Sequence, residues 1–203
     1  MARILLVHGA FNEFWGPYEL KARWLPALRD GLWHHDVEIS DADVGACFYG
    51  DLFRREPGTE AEQQLEKSRA GIAELLTNLA GSDVIAALGQ AASNAAFDRI
   101  VDMVTIIATQ PGLRARMRAR AETMIDENTR VIVSHSIGTL FSRSIQRWVN
   151  VRATGDKAAA VSLREKFGPR VEEFFIDNGH RAHDPEPYLN AAVTGAAIAA
   201  ALR

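Results

Sequence analysis

The stretch Arg130-Val131-Ile132-Val133-Ser134-His135-Ser136-Ile137-Gly138 decides the reading of this chain. Val131–Val133 is a run of β-branched apolar residues and predicts a buried strand. Residues 137–147 predict a helix that follows at once. A serine on a sharp turn between a strand and a helix is the setting of a nucleophile elbow. Small residues two before and two after it, Ser134 and Gly138, let strand and helix approach closely. The turn holds the Ser136 hydroxyl out at the carboxyl edge of the sheet, and the Ile137 N–H points from the helix N-terminus toward an oxyanion. The departure from the pattern G-x-S-x-G is Ser134 in place of the first glycine. Without chemistry, the same residues make a strand-to-helix turn with Ser136 as an N-cap.

Outward from this point, strands alternate with helical segments. Ile4–His8 reads as a buried strand ended by Gly9. Pro17 opens a helix to Asp30, with Leu20, Trp24 and Leu28 four apart and Gly31 as its stop. Pro26 inside it predicts two short helices or one kinked one. Val37–Tyr49 holds one or two strands. Thr59 and Glu62 form a capping box for a helix ended by Gly81. Residues 82–110 are Ala-rich and read as helical. Leu113–Glu127 reads as a helix with Leu113, Met117, Ala121, Met124 and Ile125 on one side. Arg114, Arg116, Arg118 and Arg120 spread over the rest, as a solvated face. Residues 148–151 and 171–178 are strand candidates, and a last helix runs from Pro185 to about Leu202. The expected fold is α/β: a mainly parallel sheet flanked by helices, with a helical cap or lid at 82–127 in a single 1–203 domain.

The 203 residues suffice for a core without disulfide or metal staples. Hydrophobic residues are 47% and charged residues 24%, which excludes disordered, collagen-like and coiled-coil chains. The net charge of −3 supplies no global field for nucleic acid. The single cysteine, Cys47, excludes an internal disulfide and a cysteine-cluster zinc site. No secretory signal and no apolar run long enough to span a bilayer is visible, so the expected compartment is the cytoplasm.

Two further stretches carry chemistry. His8-Gly9 ends the first strand, and Gly9 permits a tight turn that aims the N–H of Ala10 or Phe11 at the nucleophile. His8 is read as support for that loop. In the stretch 176–189, Asn178-Gly179 turns the chain and Asp184-Pro185 opens a helix, so His180 and His183 lie between the last strand and the last helix. A general base for Ser136 must reach over the sheet edge from such a loop. His183, beside the helix cap, is preferred over His180. The acid that orients the histidine is Asp156, after Gly155, with Asp177 as its rival. Asp184 is read as a cap. The adjacent His34 and His35 are a poor metal pair, and Cys47 is expected to be buried.

Taken in order, 5–11, 131–140, an Asp after a strand and 177–189 resemble the α/β-hydrolase superfamily, in its small bacterial serine hydrolases of esterase or lipase type. The resemblance implies Ser136 as nucleophile, His183 as base, Asp156 as acid and the N–H groups of Ile137 and Ala10 as oxyanion hole. It implies no cofactor and no metal, and a small-molecule acyl substrate as partner. The stretch from Gly138 to Trp148 is shorter than in the family. Either one strand has been lost there or a segment that would carry the acid is absent. The expected reaction is ester hydrolysis through an acyl-enzyme. The alternatives are a peptidase or amidase, and a catalytically degenerate binding or scaffold protein on the same fold.

Overall fold

The computed structural model describes residues 2–9, 12, 14–54, 58, 62–63, 66–74, 94–136, 146–156 and 162–203. The fold is α/β, with parallel strands flanked by helices. Strands β1 (Ile4–Val7), β2 (Val44–Cys47) and β3 (Val131–Ser134) form one sheet in the order β2-β1-β3. Strands β4 (Trp148–Ala153) and β5 (Val171–Ile176) form a second. The described strands thus make two hydrogen-bonded sheets where the sequence suggested one. All pairings are parallel: Val7 lies opposite both Cys47 and Ser134, and Ala153 lies opposite Ile176.

Two compact units are present. The first holds Met1–Gly9, Trp15–Phe48 and Arg120–Arg203, and therefore both sheets. In it, β1 is fully buried at all four residues, as a central strand covered on both faces must be. Helix α1 (Pro17–Trp33) lays Leu20, Trp24 and Leu28 against the same core as Ile4 and Leu6. Their four-residue spacing places them on one stripe of the helix.

Gly31 does not stop α1, which continues to Trp33. Its role is close packing: a methyl at Gly31 would collide with the carbonyl oxygen of Leu189, and one at Gly195 would collide with that of Gly31. These contacts seat α1 against α5 (Pro185–Asn190) and α6 (Ala192–Leu202). Pro26 lies inside α1, which remains one continuous helix. The expected last helix is two, because Ala191 takes an extended conformation (φ −65°, ψ 134°) between α5 and α6. Helix α6 touches both β3 and β4. The short helix α4 (Leu163–Phe167) starts at Ser162, whose hydroxyl accepts the Glu165 N–H.

The second unit holds Ala10–Phe14 and Tyr49–Ala119. Its described parts are a 3₁₀ turn at Gly50–Phe53, helical residues 66–74, α2 (Asn94–Thr109) and most of α3 (Leu113–Glu122). Val101, Thr105 and Ile106 are buried on α2, and Leu113 and Met117 on α3. Arg69 pairs with Asp102 at 2.8 Å. The expected cap at 82–127 is helical over α2 and α3, while residues 82–93 lie outside the described residues, as do Thr59 and Gly81. Among the described residues, no helix is long and apolar enough to cross a membrane.

Candidate active site

The parallel pairing of β1 with β3 continues one step past the strands, where the His135 N–H donates to the Val7 carbonyl at 3.1 Å. The next residue, Ser136, has φ +55°. A non-glycine residue in this left-handed region costs about 1–2 kcal/mol, so its surroundings must hold it there. Gly9 faces it at the end of β1. A methyl on Gly9 would stand 2.7 Å from the Ser136 Cβ and 2.9 Å from the His135 carbonyl oxygen. Only a residue without a side chain lets the two strand ends run this close. Ile137, Gly138, Ala10 and Phe11 lie outside the described residues, so both expected oxyanion donors fall there, as does most of the helix expected at 137–147.

The candidate acid sits at the end of β4. Residues Ala153–Asp156 form a turn closed by the Asp156 N–H on the Ala153 carbonyl at 3.1 Å. Gly155 has φ +86°, the left-handed conformation that such a turn favours at its third residue. The turn carries the Asp156 side chain inward, where it is 3% exposed.

The candidate base comes from the segment after β5. Asp177 Oδ1 accepts the Gly179 N–H at 2.8 Å, and Gly179–Arg181 forms a 3₁₀ turn. His183 follows, and its Nδ1 lies 3.1 Å from Asp156 Oδ1 and 3.0 Å from Oδ2. A carboxylate accepts, so Nδ1 carries a proton, and Nε2 is the ring nitrogen that does not face the acid. Asp184 occupies the N-cap position of α5 with Pro185 after it, but its carboxylate makes no capping bond. It pairs instead with Arg181 at 2.6 Å. Asp177 and His180, the rivals in sequence, are exposed.

Two more side chains complete this cluster. Tyr188 on α5 donates its hydroxyl to Asp156 Oδ2 at 2.5 Å and accepts the Ala153 N–H at 3.0 Å. Burial, with the bond to Asp156, holds the phenol above the ordinary tyrosine range, so it keeps its proton. Sequence reading missed Tyr188. Its one signal is its place on the first turn of the helix that follows the His183 loop. His135 is partly buried, with its ring centroid 4.8 Å from that of His183 and 6.0 Å from that of Tyr188. Burial, reinforced by His183 and opposed by Asp156, pushes it down to about 4, so the ring is neutral.

Other candidates are placed away from this chemistry. His8 is buried, bonded through Nδ1 to the Gly9 carbonyl at 2.7 Å and packed on Phe48, as a structural histidine. His35 is not simply solvated: its Nε2 bonds the Ala192 carbonyl at 2.6 Å, while His34 packs on Trp33. Cys47 is buried, and burial pushes its thiol up to about 11. Arg114, Arg116 and Arg118 are exposed on α3, while Arg120 donates to the Phe48 carbonyl at 3.1 Å. Among the described residues, no group of three or more His, Cys, Asp or Glu side chains could hold a metal ion. Comparison with models of known families, with curated proteins and with solved structures finds no match.

Proposed function

We propose that this chain is a serine hydrolase of the α/β-hydrolase type that cleaves a carboxylic ester through an acyl-enzyme. The observation that carries the reading is the hydrogen bond from His183 Nδ1 to the buried Asp156 carboxylate. Asp156 and His183 come from the ends of different strands, in the chain order serine, acid, histidine. The left-handed backbone of Ser136 beside Gly9 supports the same reading.

In this mechanism His183 Nε2 takes the Ser136 hydroxyl proton as Oγ attacks the ester carbonyl carbon. The resemblance to serine hydrolases implies that the N–H groups of Ile137 and Ala10, both outside the described residues, would stabilise the resulting oxyanion. The tetrahedral adduct collapses, the C–O bond to the alcohol breaks, and His183 returns its proton to the departing oxygen. Water then attacks the acyl carbon and gives a proton to His183; the C–Oγ bond breaks, His183 passes that proton to the Ser136 oxygen, and the carboxylic acid product departs. Asp156 stays ionised and steadies the imidazolium in both halves. The reaction needs no cofactor. An ester with an apolar acyl group is favoured by the apolar residues of the sequence stretch Phe11–Trp15.

A fluorophosphonate probe tests the proposal. Covalent labelling that maps to the Ser136 peptide, and is lost in Ser136→Ala, is expected. A folded wild-type chain that takes up no label would sink the enzyme reading in favour of a binding protein on a degenerate hydrolase fold.

A further inference from the structure

We propose that Tyr188 is a positioning residue of the candidate triad, whose phenol shares the Asp156 carboxylate with His183 and sets how tightly that carboxylate holds a protonated imidazole. The proposal rests on the serine-hydrolase reading of Ser136, His183 and Asp156. Asp156 Oδ2 takes two donors, the Tyr188 hydroxyl at 2.5 Å and His183 Nδ1 at 3.0 Å, whereas Oδ1 faces His183 at 3.1 Å. An O–H···O⁻ bond this short is charge-assisted and draws negative charge toward the phenol. The same phenol oxygen accepts the Ala153 N–H, which polarises the hydroxyl further and pins it to the end of β4.

The direction of the effect follows from the balance of charge. Among the described residues, the groups facing His183 include Asp156 from the turn after β4, His135 from the end of β3 and Tyr188 through Asp156 from α5. Arg152 on β4 and the neighbouring Asp184 act on this cluster through longer-range charge. His135 is neutral, so among the described residues Asp156 is a charge in direct contact with the His183 ring. A phenol that withdraws charge from Oδ2 weakens the hold on imidazolium. Tyr188 thereby fixes the plane of the carboxylate and tempers the basicity of His183.

The test is an NMR titration of the His183 imidazole in the full chain, paired with the acid limb of kcat/KM on a short aryl ester. Tyr188→Phe removes only the hydroxyl, and both midpoints are expected to rise by roughly half to one pH unit. Incorporation of 3-fluorotyrosine at position 188 keeps the hydroxyl but makes it a stronger donor, and both midpoints should fall. Tyr18→Phe, at an exposed tyrosine on α1, should move neither. A merely structural role would lower thermal stability without moving the titration. Unmoved midpoints in folded Tyr188→Phe overturn the proposal. If that variant does not fold, the fluorotyrosine protein decides: a downward shift supports the proposal, and no shift or an upward one overturns it. The titration does not need turnover. If the fluorophosphonate leaves the wild-type chain unlabelled while the titration shifts as expected, the hydrolase reading fails and the coupling of Tyr188 to His183 stands.

Discussion

His183 Nδ1 faces both oxygens of the Asp156 carboxylate, at 3.1 and 3.0 Å, across 27 residues of chain. The bond fixes the tautomer and turns Nε2 away from the acid. It also selects between carboxylates: Asp177, six residues before His183, spends its side chain on the Gly179 N–H of its own turn. Asp156 is buried while its histidine partner is 41% exposed. In the proposed mechanism that combination suits a base that must meet a substrate and an acid that need only orient it.

Asp156→Asn is therefore expected to lower kcat on a short aryl ester by about 10³–10⁴-fold, because the amide cannot stabilise imidazolium. Asp177→Asn should cost less than about 10-fold, since an amide oxygen still accepts the Gly179 N–H. Steady-state kinetics on the two purified variants decides between the acids. A silent Asp156→Asn alongside a damaging Asp177→Asn would move the acid to the end of β5.

Gly9→Ala tests the contact at the strand ends. The added methyl meets the Ser136 Cβ and the His135 carbonyl, so β1 and β3 must part there. Overpacking of this kind costs about 1–3 kcal/mol. A displacement of the serine by about 1 Å can cost on the order of 10²-fold in rate. A lower melting temperature together with slower fluorophosphonate labelling is expected. Wild-type labelling in Gly9→Ala would show that the backbone at Ser136 does not depend on this approach.

Much of this arrangement is legible in the sequence because it rests on periodicity and chain order. Leu20, Trp24 and Leu28 announce the buried stripe of α1, and Asp156 and His183, singled out from their places after two strands, lie within hydrogen-bond distance of each other. Gly31 is misread because a glycine near a helix end has the same letter whether it stops the helix or admits a neighbour. The carbonyl of Leu189, 158 positions later, makes the difference. Tyr188 is illegible for a related reason. A tyrosine on an amphipathic helix reads as core or surface until the fold brings the Ala153 N–H and the Asp156 carboxylate to its hydroxyl. The break at Ala191 gives no signal, since alanine favours the helix it interrupts.

His135 makes a prediction about pH that does not involve turnover. Its ring is held neutral down to about 4, against 6.5 for a free histidine. Between those values the unfolded chain binds a proton that the folded chain refuses. Stability from this site is therefore fully present above pH 6.5 and lost as pH falls toward 4, with a slope approaching about 1.4 kcal/mol per pH unit. Urea unfolding between these limits should show a steeper decline for wild type than for His135→Gln, in which the titration is gone. Parallel curves would mean that the ring accepts its proton without penalty.

The sharpest expectation concerns Ser136 and His183 as a unit. Ser136→Ala and His183→Ala should each lower kcat on a short aryl ester by roughly 10³-fold or more. The double variant should be little worse than either one, because the second removal takes away nothing that still works. Additive losses would mean that the two side chains act separately, with no proton passing between them. His180→Ala is the control, since His180 is an exposed residue of the same connecting segment, and it should cost far less. A damaging His180→Ala with an active His183→Ala would exchange the base and leave the Asp156–His183 bond a structural one. If no change exceeds about 10-fold in folded protein, whatever turnover is measured arises elsewhere, and the binding reading prevails.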